Sequence, residues 1–361
     1  MDDMYELTQT IERTILSDSN DPTISTQTFI NTPPPGLDIA DVWQYVLKSH
    51  LLKRFEAASF LPTGTILGIG EGACYRVDRG ELNEKLGGKY VAIKYLKVTE
   101  HPSRIIDDVE ASRSIETVLR ELRILTHDPI KECENIVQLL GYGSRSVGEH
   151  LSLYLVVELA AHGTLKDYLE KNKVGVSEKI DFCTGVANGL MALHGCGVAN
   201  GDVKLENTLV CWDEKERMIV KLSDFGHSIL DDESRYIGTA IFNAPEVRSG
   251  RLTSKLRDDY FKCDIFSYGL MVWEILQDGR RYVDLSNQAD PLSWLIGLPK
   301  DDLLRLALLA VQKLLPCDAS KITLLQNILE STLRDDAEDR KTIQEVFRMS
   351  SLEKVFVGKE T

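Results

Sequence analysis

Positive charge is in deficit in this chain, with 42 Lys and Arg against 56 Asp and Glu, a formal net charge of −14. A chain with this balance repels polyanions, so neither a nucleic acid nor an anionic membrane surface is expected as its main partner. Any site that binds phosphate must therefore be built locally, from a few basic side chains and backbone amides.

Long apolar runs and paired cysteines are also missing. The most apolar stretch, residues 303–315, contains Arg305 and Lys313, so it predicts a core helix and no membrane span. The seven cysteines form no C-x-x-C pair, which favours a reducing compartment. The first residues are acidic where a secretory signal would be basic and then apolar. We therefore expect a cytoplasmic protein, with access to the nucleus left open.

The pattern along the chain changes three times. Residues 1–55 hold a polar stretch, three prolines at 33–35 and apolar residues at helical spacing within 38–54, which predicts a tail with one amphipathic helix that docks on the strand-rich region after it. Strand-like segments begin near Leu61, and helical spacing dominates after Gly163. We predict one domain over 56–350, with a C-terminal tail at 351–361.

The strand-rich part carries a pattern suited to a nucleotide. Glycines at 68, 70 and 72 allow a hairpin backbone to approach phosphates and donate amide hydrogens to them. The apolar strand 90–94 ends in Lys94, which could hold phosphates if a carboxylate from a neighbouring helix held the lysine. The amphipathic segment 115–125 offers Glu121 for that role, with Glu116 as its competitor.

Residues 198–226 concentrate polar groups of another kind. Asp202, Lys204 and Asn207 fall within six residues, and Asp224 follows at the end of a predicted strand, before Phe225 and a glycine. Turns favour Asp and Asn for conformational reasons alone, but this spacing places a carboxylate, a cation and two oxygen ligands for a hard metal ion in one short region. The region therefore predicts a loop whose polar side chains face one pocket.

Together these motifs resemble those of the eukaryotic protein kinases: the glycine-rich loop, V-A-I-K at 91–94, D-x-K-x-x-N at 202–207, D-F-G at 224–226 and A-P-E at 244–246. The resemblance implies an α+β, bilobal protein-kinase-like fold. The small lobe, about 56–158, would hold a five-stranded antiparallel sheet and one main helix. The larger, mostly helical lobe would cover about 159–350.

The resemblance also implies an ATP-dependent protein kinase that uses Mg²⁺ and acts on protein substrates. Asp202 would orient the acceptor hydroxyl as catalytic base, and Lys204, which favours the serine/threonine class, would stabilise the transferred phosphoryl group. Asn207 and Asp224 would bind the metal, and Thr239 would steady the catalytic pair. The groups expected to contact ATP are Gly68, Gly70, Gly72, Ala92, Lys94, Glu121, Glu158 and Ala160.

Two departures from the family pattern leave an alternative open. Ala73 stands where the third glycine is usual, and Asn200-Gly201 stands where His-Arg normally precedes the catalytic aspartate. Because the arginine reads a phosphate on the activation segment, we expect the segment 224–246 to order without phosphate on Ser228, Ser234 or Tyr236. The alternatives are a catalytically weak pseudokinase that serves as a nucleotide-binding scaffold and, less favoured, a small-molecule phosphotransferase.

Overall fold

The computed structural model describes residues 39–48, 52–61, 68–71, 74–97, 108–147, 150–213, 215–230, 235–252, 256–283, 290–314 and 317–349. The chain divides into two compact units, one formed by Met1–Thr126 with Gln138–Leu159 and the other by His127–Val137 with Ala160–Thr361. Residues 1–38 of the predicted N-terminal tail and the whole predicted tail at 351–361 lie outside the described residues, as do Gly72, Ala73 and Ser234.

The first unit is built on one sheet of six strands. The strands are β1 Lys53–Phe55, β2 Gly68–Glu71, β3 Tyr75–Glu81, β4 Tyr90–Leu96, β5 Leu139–Val147 and β6 His150–Glu158, in the order β1-β5-β6-β4-β3-β2. The neighbours are antiparallel except β1 and β5, which are parallel. The prediction of a five-stranded antiparallel sheet was therefore wrong by one strand and by one pairing.

The additional strand depends on two glycines of β5. A Cβ on Gly141 would lie 2.0 Å from the carbonyl oxygen of Lys53, and one on Gly143 would lie 2.2 Å from that of Phe55. Only glycine therefore allows β1 to pair here, and Phe55, 3% exposed, packs into the core. Strand β5 begins at Leu139 and continues through both glycines.

Among the described residues of the first unit, two α-helices accompany the sheet. The predicted amphipathic helix is present as α1, Ile39–Lys48, but it ends before the region 53–55 that forms β1. The second helix, α2, covers Asp108–Leu125 and is longer than the predicted 115–125. Helix α2 carries Glu121, and its apolar face packs in the same core cluster as α1.

The second unit is mostly helical, with one two-stranded ribbon. Its helices are α3 Asp128–Lys131, α4 Leu165–Lys171, α5 Val176–Gly195, α6 Pro245–Arg248, α7 Arg257–Leu276, α8 Pro291–Ile296, α9 Asp302–Gln312, α10 Ala319–Thr332 and α11 at 343–349. The ribbon pairs β7 Thr208–Trp212 with β8 Met218–Leu222. The predicted core helix of 303–315 is α9, but only one face is buried, since Leu309 is 43% exposed.

The second unit buries the charged side chain of Arg340, and every donor group of its guanidinium has a partner. Its guanidinium, 1% exposed, donates from Nη1 and Nη2 to the Glu246 carboxylate at 2.7 and 2.8 Å. Its remaining donors reach the carbonyl oxygens of Arg334, Lys262 and Asp335. Such a bidentate, fully hydrogen-bonded arrangement is what makes a buried guanidinium tolerable. Among the described residues, no helix is long and apolar enough to cross a membrane.

Candidate active site

The first unit positions a lysine and a carboxylate against each other. Lys94 lies in β4, and its Nζ donates to Oε1 of Glu121 on α2. Glu121 is 1% exposed, and the Lys94 ammonium also lies 4.1 Å from the centroid of the Tyr75 ring. The competing carboxylate, Glu116, instead pairs with Arg120 at 2.6 Å on the same helix. Of the two carboxylates that the sequence left open, Glu121 is therefore the one that contacts Lys94.

The other predicted ATP contacts of this unit lie on neighbouring strands. Gly68 and Gly70 belong to β2, opposite Asp78 and Val77 of β3, with a shift of register between the two glycines. Ala92 in β4 pairs with Val157 in β6. Glu158 ends β6, whereas Ala160 begins the longer segment of the second unit.

In the second unit Asp202, Lys204 and Thr239 form a closed set of hydrogen bonds. Lys204 Nζ donates to Asp202 Oδ2 at 2.6 Å and to Thr239 Oγ1 at 2.8 Å, and Thr239 Oγ1 donates to Asp202 Oδ1 at 2.6 Å. Burial alone raises the pKa of Asp202, but the bonds from Lys204 and Thr239 outweigh burial and hold the pKa below its ordinary value. The carboxylate is therefore ionised and oriented at neutral pH.

Asn207 extends this set toward Asp224. Its amide Nδ2 donates to Oδ2 of Asp202 at 2.8 Å and to the Asp202 carbonyl at 3.0 Å, and no hydrogen bond engages its Oδ1 within the part of the chain that the structure describes. The carbonyl oxygen of Asn207 accepts both the amide and the hydroxyl of Ser223, the residue before Asp224. An exposed carboxylate at 224 and an amide oxygen at 207 are donors that suit a hard cation such as Mg²⁺.

The loop before Asp202 is held by one buried carboxylate on α7. Asp264, fully buried, accepts the Asn200 amide at 2.6 Å and the Gly201 amide at 2.9 Å. The Tyr236 hydroxyl donates to the same carboxylate at 2.9 Å, and Nε2 of His194 lies 2.9 Å from it. One side chain therefore connects α5, the loop at 200–202 and the segment that carries Thr239.

Residue 201 has room only for glycine. Its φ is +79°, and a Cβ there would lie 2.2 Å from the carbonyl oxygen of His227. Asn200 completes the turn, since its Oδ1 accepts the Asp202 amide at 3.1 Å and its carbonyl accepts the Ser228 hydroxyl at 3.0 Å. The Asn-Gly pair therefore builds a tight loop that contacts the residues just after Phe225 and Gly226.

A second charged cluster braces the loop from the other side. Glu206, between Lys204 and Asn207, pairs with Arg281, and Arg281 Nη1 lies 3.3 Å from Oε2 of Glu274. Glu274 is fully buried, and burial raises its pKa to about 7 although Arg281 partly opposes that shift. The cluster connects the loop to the end of α7.

The sequence did not reveal two of these participants. Tyr236 was considered only as an acceptor of phosphate, yet it is 7% exposed and its hydroxyl is used inside the protein. Arg281 follows α7 in a Gly-Arg-Arg-Tyr run with no spacing that indicates its partners. Both contacts join residues far apart in the chain, so only the folded structure shows them.

A profile described as protein kinase domain matches residues 65–351. Two features agree with that class. The sheet-based unit pairs Lys94 with Glu121 on a helix, and the helical unit carries a loop with Asp202, Lys204 and Asn207. The chain belongs to the protein kinase family.

Several relatives are similar to part of this chain. Mitogen-activated protein kinase kinase kinase 13-A of Xenopus laevis is 31% identical over 234 residues, 63% of this chain and 20% of that protein. Fer-related kinase 1 of Caenorhabditis elegans is 30% identical over 217 residues, 58% of this chain and 48% of that protein. Cell surface receptor daf-1 of the same organism is 25% identical over 224 residues, 58% of this chain and 31% of that protein. The chain thus spans between a fifth and about half of these relatives' lengths.

The buried Glu274 generates a prediction for the pH dependence of stability. A carboxyl whose pKa is about 7 in the folded chain, against an ordinary value of about 4.3 when unfolded, is favoured in its neutral form. The free energy of unfolding should therefore fall as pH rises from about 4.5 past 7, by up to about 4 kcal/mol. Glu274→Gln cannot ionise and should escape this loss.

Urea unfolding of the native chain and of Glu274→Gln at pH 5 and pH 8 measures the difference. Glu330→Gln, on an exposed position of α10, is the matched control and should follow the native chain at both pH values. A native chain that keeps the same stability relative to Glu274→Gln at both pH values would contradict the assignment.

Proposed function

We propose that this chain is an ATP-dependent protein kinase that transfers the γ-phosphoryl group to serine or threonine hydroxyls of protein substrates. The observation that carries the proposal is the closed set of hydrogen bonds among Asp202, Lys204 and Thr239. It presents an ionised carboxylate and an ammonium side by side, which phosphoryl transfer requires in order to position a hydroxyl and neutralise developing charge.

Each remaining group has a place in this proposal. The paired Lys94 and Glu121 would hold the α and β phosphates, with the backbone of the glycine loop at Gly68 and Gly70 covering them. Backbone groups of Glu158 and Ala160 would bind the adenine. Asn207 and Asp224 would bind Mg²⁺ through oxygen, and the ion would neutralise charge on the phosphates.

The choice of serine or threonine as acceptor is supported by Lys204. Its ammonium bridges Asp202 and Thr239, the arrangement that the resemblance associates with the serine/threonine class. The relatives carry different names, and this chain spans at most about half of their lengths, so they do not fix the acceptor. The cytoplasmic location remains a prediction.

The Asn-Gly pair in place of the family's His-Arg supports activity without phosphorylation. With glycine at 201 no guanidinium is present there to bind a phosphate. Tyr236 and Ser228 are instead buried, and their hydroxyls bond to Asp264 and to the Asn200 carbonyl. Both hydroxyls are thus used in hydrogen bonds within the protein, without a phosphate. Ser234 lies outside the described residues.

The first experiment measures phosphate transfer with ATP and Mg²⁺ to an unstructured protein that contains serine, threonine and tyrosine. The native chain should incorporate phosphate on serine and threonine. Asp202→Ala should lower kcat about 10²- to 10⁴-fold, because the hydroxyl loses its oriented base. Asp258→Ala, at an exposed aspartate of α7, is the control and should retain the native rate.

Three results separate the alternatives. Phosphotyrosine as the sole product would overturn the acceptor class. Equal incorporation by the native chain and Asp202→Ala would overturn the assignment of the catalytic loop. ATP binding without any incorporation would favour a nucleotide-binding scaffold.

The second experiment tests whether activity needs phosphorylation. Protein made together with a phosphatase, and shown by intact mass to carry no phosphate, should start at its full rate without a lag, since the hydroxyls of Ser228 and Tyr236 already bond within the protein. Substituting Ser228 or Tyr236 by alanine is a poor test because each change removes a structural hydrogen bond, whereas Ser234→Ala should retain activity. A lag that ends as the chain gains phosphate would contradict the prediction.

A further inference from the structure

Helix α1 lies outside the region that defines the family. It covers Ile39–Lys48, whereas the kinase profile begins at residue 65. With ten residues it is shorter than a helix that is stable alone in water. Its formation must therefore depend on the element that it packs against.

The partner of α1 is the helix that carries Glu121. Val42 and Val46, both 0% exposed, belong to one core cluster with Ile115, Val118, Leu119 and Leu122 of α2. Val42 and Val46 are four residues apart and so share one face of α1, and Val118 and Leu122 share one face of α2 in the same way. The two helices therefore meet along their apolar faces.

A polar contact fixes the end of α2 as well. The Tyr45 hydroxyl lies 2.7 Å from Oγ1 of Thr126, the residue after α2. Burial raises the pKa of Tyr45, so its hydroxyl is neutral and available as donor or acceptor. The threonine hydroxyl donates in turn to the Leu122 carbonyl at 2.7 Å, which places this contact one turn from Glu121.

The pairing of Lys94 with Glu121 depends on where α2 lies. Glu121 is 1% exposed and precedes Leu122, which is fully buried in the shared cluster. Because a helix moves as a unit, a shift or rotation of α2 that separated Leu122 from Val42 and Val46 would also displace the Glu121 carboxylate.

We infer that α1 is a positioning element for catalysis, in which Val42, Val46 and Tyr45 hold α2 where Glu121 pairs with Lys94. The inference rests on the proposed function, since it assigns α1 a part in preparing the same ATP site. The inference thus assigns a role in catalysis to α1, which precedes the region matched by the kinase profile.

The test is a double-mutant cycle in the full chain. The double substitution Val42→Ala and Val46→Ala removes most of the apolar packing of α1 against α2. Glu121→Gln removes the carboxylate through which α1 is inferred to act. If α1 acts through Glu121, the valine changes should lower kcat/KM for ATP about tenfold in the native background and less than about twofold in the Glu121→Gln background. Gln44→Ala, on the exposed face of α1, should change neither background.

Equal losses in both backgrounds would show that α1 only stabilises the unit and would overturn the inference, as would no loss in either. Circular dichroism and thermal unfolding verify that each variant folds. If the double valine variant does not fold, Tyr45→Phe, which removes one hydroxyl, takes its place in the same cycle.

The two proposals fail in different ways. If the native chain binds ATP but transfers no phosphate, the proposed function is overturned. The same four proteins are then compared by their dissociation constants for ATP with Mg²⁺, where the same non-additive pattern is expected and an additive one overturns the inference. A native chain that does not bind ATP would overturn both.

Discussion

The Asp264 carboxylate is the group on which the geometry of the catalytic loop depends. A fully buried carboxylate is unfavourable unless donors surround it, and here the donors are two consecutive backbone amides, a tyrosine hydroxyl and a histidine ring. Because the amides belong to Asn200 and Gly201, the charge fixes the backbone directly before Asp202. The need of the buried Asp264 carboxylate for hydrogen-bond donors thus fixes the backbone that orients Asp202, the proposed base.

The same principle of local pairing explains how an acidic chain can build a phosphate site. Each lysine of the proposed site is held by a carboxylate, Lys94 by Glu121 and Lys204 by Asp202. The net charge of −14 therefore does not weaken the site, because screening and distance limit the influence of surface carboxylates. Pairing also fixes the position of each ammonium, which a free lysine side chain would not retain.

Residue spacing predicted much of the site, since the motifs at 91–94, 202–207 and 224–226 are local in sequence. It could not choose between Glu116 and Glu121, because either residue can face inward until the packing of α2 is known. It also could not indicate that Gly141 and Gly143 admit β1 beside β5, since a glycine that admits a neighbouring strand looks the same in sequence as one that turns. The contacts of Tyr236 and Arg281 could not be predicted for a related reason, because their partners lie far away along the chain.

The most direct test of Asp264 as the anchor of the catalytic loop is hydrogen exchange at the amides of Asn200 and Gly201, compared between the native chain and Asp264→Asn. The asparagine keeps the size of the side chain but replaces one acceptor oxygen with a donor, so it cannot serve both amides. We predict slow exchange at both amides in the native chain and an acceleration of about 100-fold in the variant, equivalent to about 2.7 kcal/mol, with amides of α10 little changed. Unchanged exchange at Asn200 and Gly201 would show that Asp264 does not hold the catalytic loop.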